Sequence, residues 1–112
     1  MDKTRGDVLQ GTLDMLVLKS LQLGPMHGWG ITELLEAGSK QVLQVGQGSL
    51  YPALYRLERQ ELITSDCQTT ENSRRARVYK LTAAGRRRLA EERENWSRMS
   101  HAVELILRLG DT

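Results

Sequence analysis

Apolar residues recur along the start of the chain at helical spacing. Leu9, Leu13, Leu16, Val17 and Leu21 share one face at about 100° per residue, which predicts a helix from Val8 to Leu23. Met15 and Leu18 carry apolar surface elsewhere, so this helix is expected to be buried on more than one side. Gly24-Pro25 ends it, because proline lacks a donor N–H and restricts the residue before it. A shorter helix follows His27-Gly28, with a narrow stripe of Ile31, Leu34 and Leu35 and with Ala37-Gly38 as its C-terminal cap. Ser39 to Gly46 is a connector. The third helix begins near Gly48-Ser49, with Ser49 as N-cap and Pro52 tolerated in the first turn. Leu50, Leu54 and Leu57 form its buried stripe. Ser49, Pro52, Tyr55, Arg56 and Arg59 lie opposite, and Tyr51 sits at the border.

The period then changes. Leu62 to Cys67 and Arg77 to Leu81 are rich in strand formers, and the polar segment Gln68 to Ala76 lies between them. This pattern predicts a β-hairpin with a long, basic tip. A last helix opens at Thr82, a good N-cap, and runs to about Leu109. Leu89, Trp96, Met99, Val103 and Ile106 make a heptad seam with one polar gap at Glu92 or Arg93. Such a helix is roughly 40 Å long and outgrows a domain of this size, so the seam calls for a partner. The expected fold is mainly α with a small β-hairpin: a winged helix-turn-helix over residues 1–81 and a C-terminal dimerisation helix over residues 82–112, in one compact unit.

Length and composition agree with that picture. A chain of 112 residues, 39% hydrophobic and 27% charged, is one ordinary globular domain. It has no apolar run of about 18 residues to span a membrane, and its polar N-terminus does not resemble a signal peptide. With a single cysteine, Cys67, it has no intrachain disulfide, and the expected compartment is the cytoplasm. A net charge of +2 argues for nothing by itself. Its distribution says more. Arg74, Arg75, Arg77 and Lys80 fall together on the hairpin, Arg86, Arg87 and Arg88 follow, and Glu91, Glu92 and Glu94 come directly after.

Catalysis is the least supported class. The chain has no phosphate-binding glycine motif, nucleophile elbow or spaced carboxylate pair. His27 and His101 lie in different elements, far from any metal-ligand spacing, and no cofactor or metal is expected. His27 reads as a structural residue at a helix start, and Cys67 as a half-buried small residue on a strand.

Two segments resemble a known family. Gly48 to Glu58, reading GSLYPALYRLE and continuing to Glu61-Leu62-Ile63, is similar to the recognition-helix signature of the PadR family of regulators. Val78 to Gly85, VYKLTAAG, resembles that family's junction between strand and final helix, and Met26 to Ile31 its usual entry to the second helix. The resemblance covers roughly Leu9 to Leu109. It implies a transcriptional regulator, usually a repressor, that is a homodimer joined by its C-terminal helix, with some members answering small aromatic or drug-like molecules. One departure is Gln60-Glu61, which stands where the family often has Gly before the Leu-Ile strand and weakens the helix cap. The C-terminal part is a single helix, so a separate ligand-binding domain is not expected.

The candidate DNA-binding residues are Gln47, Ser49, Tyr51, Pro52, Tyr55 and Arg56 on and before the third helix, and Arg74, Arg75 and Arg77 on the wing. A recognition helix enters the major groove by its start, where Arg56 would pair with guanine and Ser49 or Gln47 would reach base edges or phosphate. The competing reading is a solvated face and a solubilising turn. Arg86, Arg87 and Arg88 oppose the helix dipole, so stability does not explain them. Leu89, Trp96, Met99, Val103 and Ile106 are the candidate dimerisation residues. Trp96 is either a packing anchor or part of a ligand pocket between subunits. Double-stranded DNA, a second copy of the chain and a small aromatic ligand are thus the expected partners, with no membrane. The alternative is a winged-helix adaptor between proteins, which would not need basic residues on both the third helix and the wing.

Overall fold

The computed structural model describes residues 2–69 and 75–111, with side chains from Gly11 onward. Seven elements follow one another: α1 (Asp2–Leu23), β1 (Met26–His27), α2 (Gly28–Gly38), α3 (Gln47–Arg59), β2 (Ile63–Thr69), β3 (Arg75–Leu81) and α4 (Ala83–Leu107). The three helices, the hairpin and the long final helix arrive in the expected order. α1 starts at Asp2 rather than Val8, because its polar first turns carry no apolar period to read.

The hairpin is part of a three-stranded antiparallel sheet in the order β1-β3-β2. Met26 pairs with Tyr79 and His27 with Val78, so the two residues after Gly24-Pro25 cover the open edge of β3. β2 and β3 pair from Ile63 with Leu81 out to Thr69 with Arg75. The arms are longer than the apolar segments that predicted them. Past Ile63 and Tyr79 they run beyond the core, where polar residues suffice. Cys67 is on that outer stretch and is exposed rather than half-buried.

The core lies where α1, α2, α3 and the base of the sheet converge. Leu13, Val17, Leu18 and Leu21 of α1 pack with Ile31 and Leu35 of α2, Leu50, Ala53, Leu54 and Leu57 of α3, and Ile63, Tyr79 and Leu81 of the sheet. Each large apolar side chain so buried contributes about 1.5–3 kcal/mol. Leu16, expected on the buried face, is only partly covered, and the Leu9 side chain lies outside the described residues. Ser20 is buried among these residues and satisfies its hydroxyl by donating to the Leu16 carbonyl at 2.8 Å.

Two helix ends differ from expectation in detail, and a third closes at the position where the sequence lacks the usual glycine. α2 does not turn left-handed at Gly38. Ser39 is its C-cap, and Lys40 (φ 54°) takes the left-handed position. The Lys40 N–H then reaches Ala37 O at 3.1 Å and the Gln41 N–H reaches Glu36 O at 2.8 Å, the paired bonds of a Schellman close. α3 begins one turn early, with Gly46 rather than Ser49 as N-cap, so Pro52 sits past the first turn and leaves the Gly48 carbonyl without its helical donor. α3 ends in a second Schellman close, with Glu61 N–H on Glu58 O at 2.9 Å and Leu62 N–H on Leu57 O at 3.0 Å, and Glu61 itself is left-handed at φ 61°.

α4 is anchored at its start. Thr82 caps it by accepting from the Gly85 N–H at 3.0 Å, and its hydroxyl meets the Glu61 and Leu62 carbonyls at 2.8 and 3.0 Å. Gly85 lies against the Leu62 backbone so closely that a Cβ there would overlap the Leu62 carbonyl oxygen. Leu89 is 1% exposed. Its place in the heptad seam pointed to dimerisation, but it belongs to the protomer's own core. Beyond it the helix leaves the domain, and Trp96, Met99, Val103 and Ile106 are between 48% and 66% exposed.

Candidate nucleic-acid interface

α3 presents its outward side as the apolar stripe dictates. With Leu50, Ala53, Leu54 and Leu57 buried, Gln47, Ser49, Tyr51, Pro52 and Tyr55 are all exposed. The start of the helix is electrostatically bare. Its N-cap, Gly46, supplies no side-chain hydrogen bond, and no acidic residue occupies the first turn. The first N–H groups and the positive end of the helix dipole are therefore available to an anion.

One contact sets this helix start against α2, whose own start is capped. Tyr51 lies over Gly28, the first residue of α2. A Cβ on Gly28 would come within 2.9 Å of the phenolic oxygen, so glycine there lets the phenol end of the ring approach the helix start. His27 caps α2, its Nδ1 accepting from the Gly30 N–H at 3.0 Å, which is the structural role expected of it. Further along α3, the Arg59 guanidinium stands 5.8 Å from the centre of the Tyr55 ring.

The strand register decides which wing residues face the helix. Arg75 and Arg77 alternate with Ala76 and Val78 and share a face with the buried Tyr79 and Leu81. That is the face turned to α3: Arg77 Nη1 donates to Ser65 Oγ at 2.9 Å, and Ser65 Oγ donates to Glu58 Oε2 of α3 at 2.7 Å. Burial pushes the Tyr79 phenol above its ordinary value of 10.0, against the opposing pull of Arg77, so the ring stays neutral at the base of this network. Arg75 is exposed. Arg74 lies outside the described residues.

Arg56 is placed differently from a free, base-reading cation. It lies on the flank of α3, and its Nη2 donates to Asp14 Oδ1 of α1 at 2.8 Å, while its buried Nε has no partner among the described residues. Helical phase alone set Arg56 opposite the buried stripe, and nothing in the local pattern reveals a partner 42 positions away. The fold also brings together residues that lie far apart along the chain. Gly11, Thr12 and Met15 of α1 and Trp96 and Met99 of α4 line an open groove of about 280 Å³.

Among the described residues no three metal-binding side chains cluster, and no helix is long and apolar enough to cross a membrane.

Comparison with known proteins gives this arrangement a context. A family model described as the transcriptional regulator PadR-like family matches residues 17–91, which runs from mid-α1 into α4. Transcriptional regulator Rv3488 of Mycobacterium tuberculosis is 37% identical over 78 residues, covering 70% of this chain and 69% of that protein. Among solved structures, a transcriptional regulator from Clostridium thermocellum superposes with a TM-score of 0.80 at 24% identity, over 88% of this chain and 95% of that one. Bacillus subtilis PadR, solved in complex with operator DNA, superposes with a TM-score of 0.64 at 24% identity, over 70% of this chain and 45% of that one. At these identities the structural likenesses are likenesses of fold.

Proposed function

Because the chain belongs to the transcriptional regulator PadR-like family, we propose that it is a homodimeric, sequence-specific DNA-binding repressor. The observation that carries this reading is the pairing of two surfaces on one side of the domain. The outward side of α3, with its bare N-terminus, and the hairpin face that bears Arg75 and Arg77 are joined through Ser65 and Glu58. α3 would enter the major groove by its start, with Gln47, Ser49, Tyr51, Pro52 and Tyr55 at the groove and the first N–H groups on a phosphate. Arg75 and Arg77, with Arg74 beside them in the sequence, would follow the backbone. Such contacts fix position and register and carry little sequence information.

The second copy is supported by α4. Trp96, Met99, Val103 and Ile106 form a stripe that the protomer leaves in water. A second chain across a two-fold axis would cover it and bring two recognition helices to one face of a duplex. In this reading residues 1–81 bind DNA and residues 82–112 hold the dimer. The open groove that Met15, Trp96 and Met99 line, with Thr12, Glu92 and Asn95 as its polar lining, is the candidate place for a small aromatic ligand whose binding would release the repressor.

The test is salt-dependent binding to random duplex DNA, for the wild type beside Arg75→Ala. Wild-type affinity should fall steeply with salt, and the log–log slope of the variant should be shallower by about 1 for each phosphate it no longer neutralises. Absence of binding at low salt would refute the reading. An equal slope in the variant would remove Arg75 from the interface.

A further inference from the structure

α1 is the helix that packs broadly against both α3 and α4. It meets them with different faces. Gly11, Thr12 and Met15 line the groove against Trp96 and Met99 of α4. About a third of a turn round the helix, Asp14 points to α3 and accepts the hydrogen bond from Arg56. The face of α1 that senses α4 and the face that holds the recognition helix thus share one turn of helix.

The Asp14–Arg56 pair is a poor device for stability alone. Its two side chains keep only 27% and 30% of their exposure, so both are partly desolvated. It uses a single N–H, not the two parallel bonds that an arginine and a carboxylate can form, and among the described residues the buried Nε has no partner. Half-buried pairs of this kind return little net free energy. What this one does supply is a directional tie between α1 and α3, made in the last turn of α3. Leu13 is the first core residue of α1, so Asp14 stands where the packed face begins.

We infer that Asp14 is a positioning residue for the recognition helix: by holding Arg56 it sets how α3 sits against α1, and DNA affinity depends on that pairing. The inference rests on the DNA-binding reading above and specifies how that site is regulated. Arg56 acts through this pairing rather than as a base contact.

The test is a titration of the full-length protein with labelled random-sequence duplex DNA, across a series of salt concentrations. The proteins are wild type, Asp14→Asn, Asp14→Glu and the charge-swapped double variant Asp14→Arg with Arg56→Asp. Asp14→Asn should weaken binding about three- to tenfold at every salt concentration, with an unchanged log–log slope because the same phosphates stay neutralised. Asp14→Glu should retain wild-type affinity within about twofold, and the swap should recover most of the loss. If the asparagine variant does not fold, the glutamate variant and the swap still decide. A general structural defect would not be rescued by the swap, so lack of rescue overturns the inference. Unchanged affinity in Asp14→Asn also overturns it. So does tighter binding with a steeper slope, which would mean that Asp14 only withholds Arg56 from a phosphate. A wild type that does not bind DNA overturns the underlying reading as well.

Discussion

Replacing Gly85 by alanine sets two opposing effects against each other. Alanine is favoured over glycine inside a helix by about 1 kcal/mol, and position 85 is in the first turn of α4. Against that stands the approach of α4 to the end of α3. The new Cβ would overlap the Leu62 carbonyl oxygen and lie 2.6 Å from Leu81 Cδ1. The carbonyl has little freedom to retreat, because it accepts from both the Thr82 N–H at 3.1 Å and the Thr82 hydroxyl at 3.0 Å. Backing α4 away strains or breaks those two bonds, at about 1 kcal/mol each. Overpacking against Leu81 adds about 1–3 kcal/mol. The net expectation is a loss of about 2–4 kcal/mol, or a fall in Tm of about 10 °C or more. Gly38→Ala is the control: no atom lies within 4 Å of its Cβ position, and its φ is negative, so propensity alone should act and Tm should rise slightly. Thermal unfolding followed by circular dichroism, at one fixed protein concentration, reads both. A Gly85→Ala variant as stable as wild type, or more stable, would refute the close packing of α4 on Leu62.

Glu61→Gly should stabilise the protein by about 0.5–1 kcal/mol, because residue 61 holds a left-handed φ of 61° that glycine adopts without strain; urea unfolding with an unchanged m-value would register it. Val103→Glu should leave the fold intact but abolish the dimer at micromolar concentration, since it places a charge on the exposed stripe of α4 that a partner is proposed to cover. Size-exclusion chromatography with light scattering tests this, and a monomeric wild type or a dimeric variant would contradict it. Gly28→Ala should displace the Tyr51 ring from α2 and weaken DNA binding several-fold while costing little stability, because Tyr51 is half exposed and its ring has room to move outward; a fluorescence titration with duplex DNA beside a thermal melt separates the two effects.

Helix order, the hairpin and the core stripes were readable because each rests on a periodic apolar pattern within one element. Leu50, Leu54 and Leu57, for instance, are buried as their spacing requires. The departures arise where a distant part of the chain decides. Met26-His27 is too short to show any period, and it is a strand only because β3 offers an open edge. Leu89 continues the spacing of Trp96 and Val103, yet it is covered by its own domain because α4 is still packed there. Ser49 is a good cap by type, but the extended Gly46 starts the helix a turn earlier. The position that often holds glycine in this family does require a left-handed residue, and Glu61 adopts that conformation. At the candidate site, exposure along α3 followed from the pattern. The pairing of Arg56 with Asp14, and of Arg77 with Glu58 through Ser65, did not, because each joins elements that only the tertiary fold brings together.

Selection of bound sequences from a random duplex library by the purified protein tests the central claim most directly. Two recognition helices related by a two-fold axis should enrich an inverted repeat. Its half-site centres should lie one or two helical turns apart, at roughly 34 Å per turn. Enrichment of a single unpaired element, or no enrichment over the starting library, would contradict a dimer that reads DNA through α3.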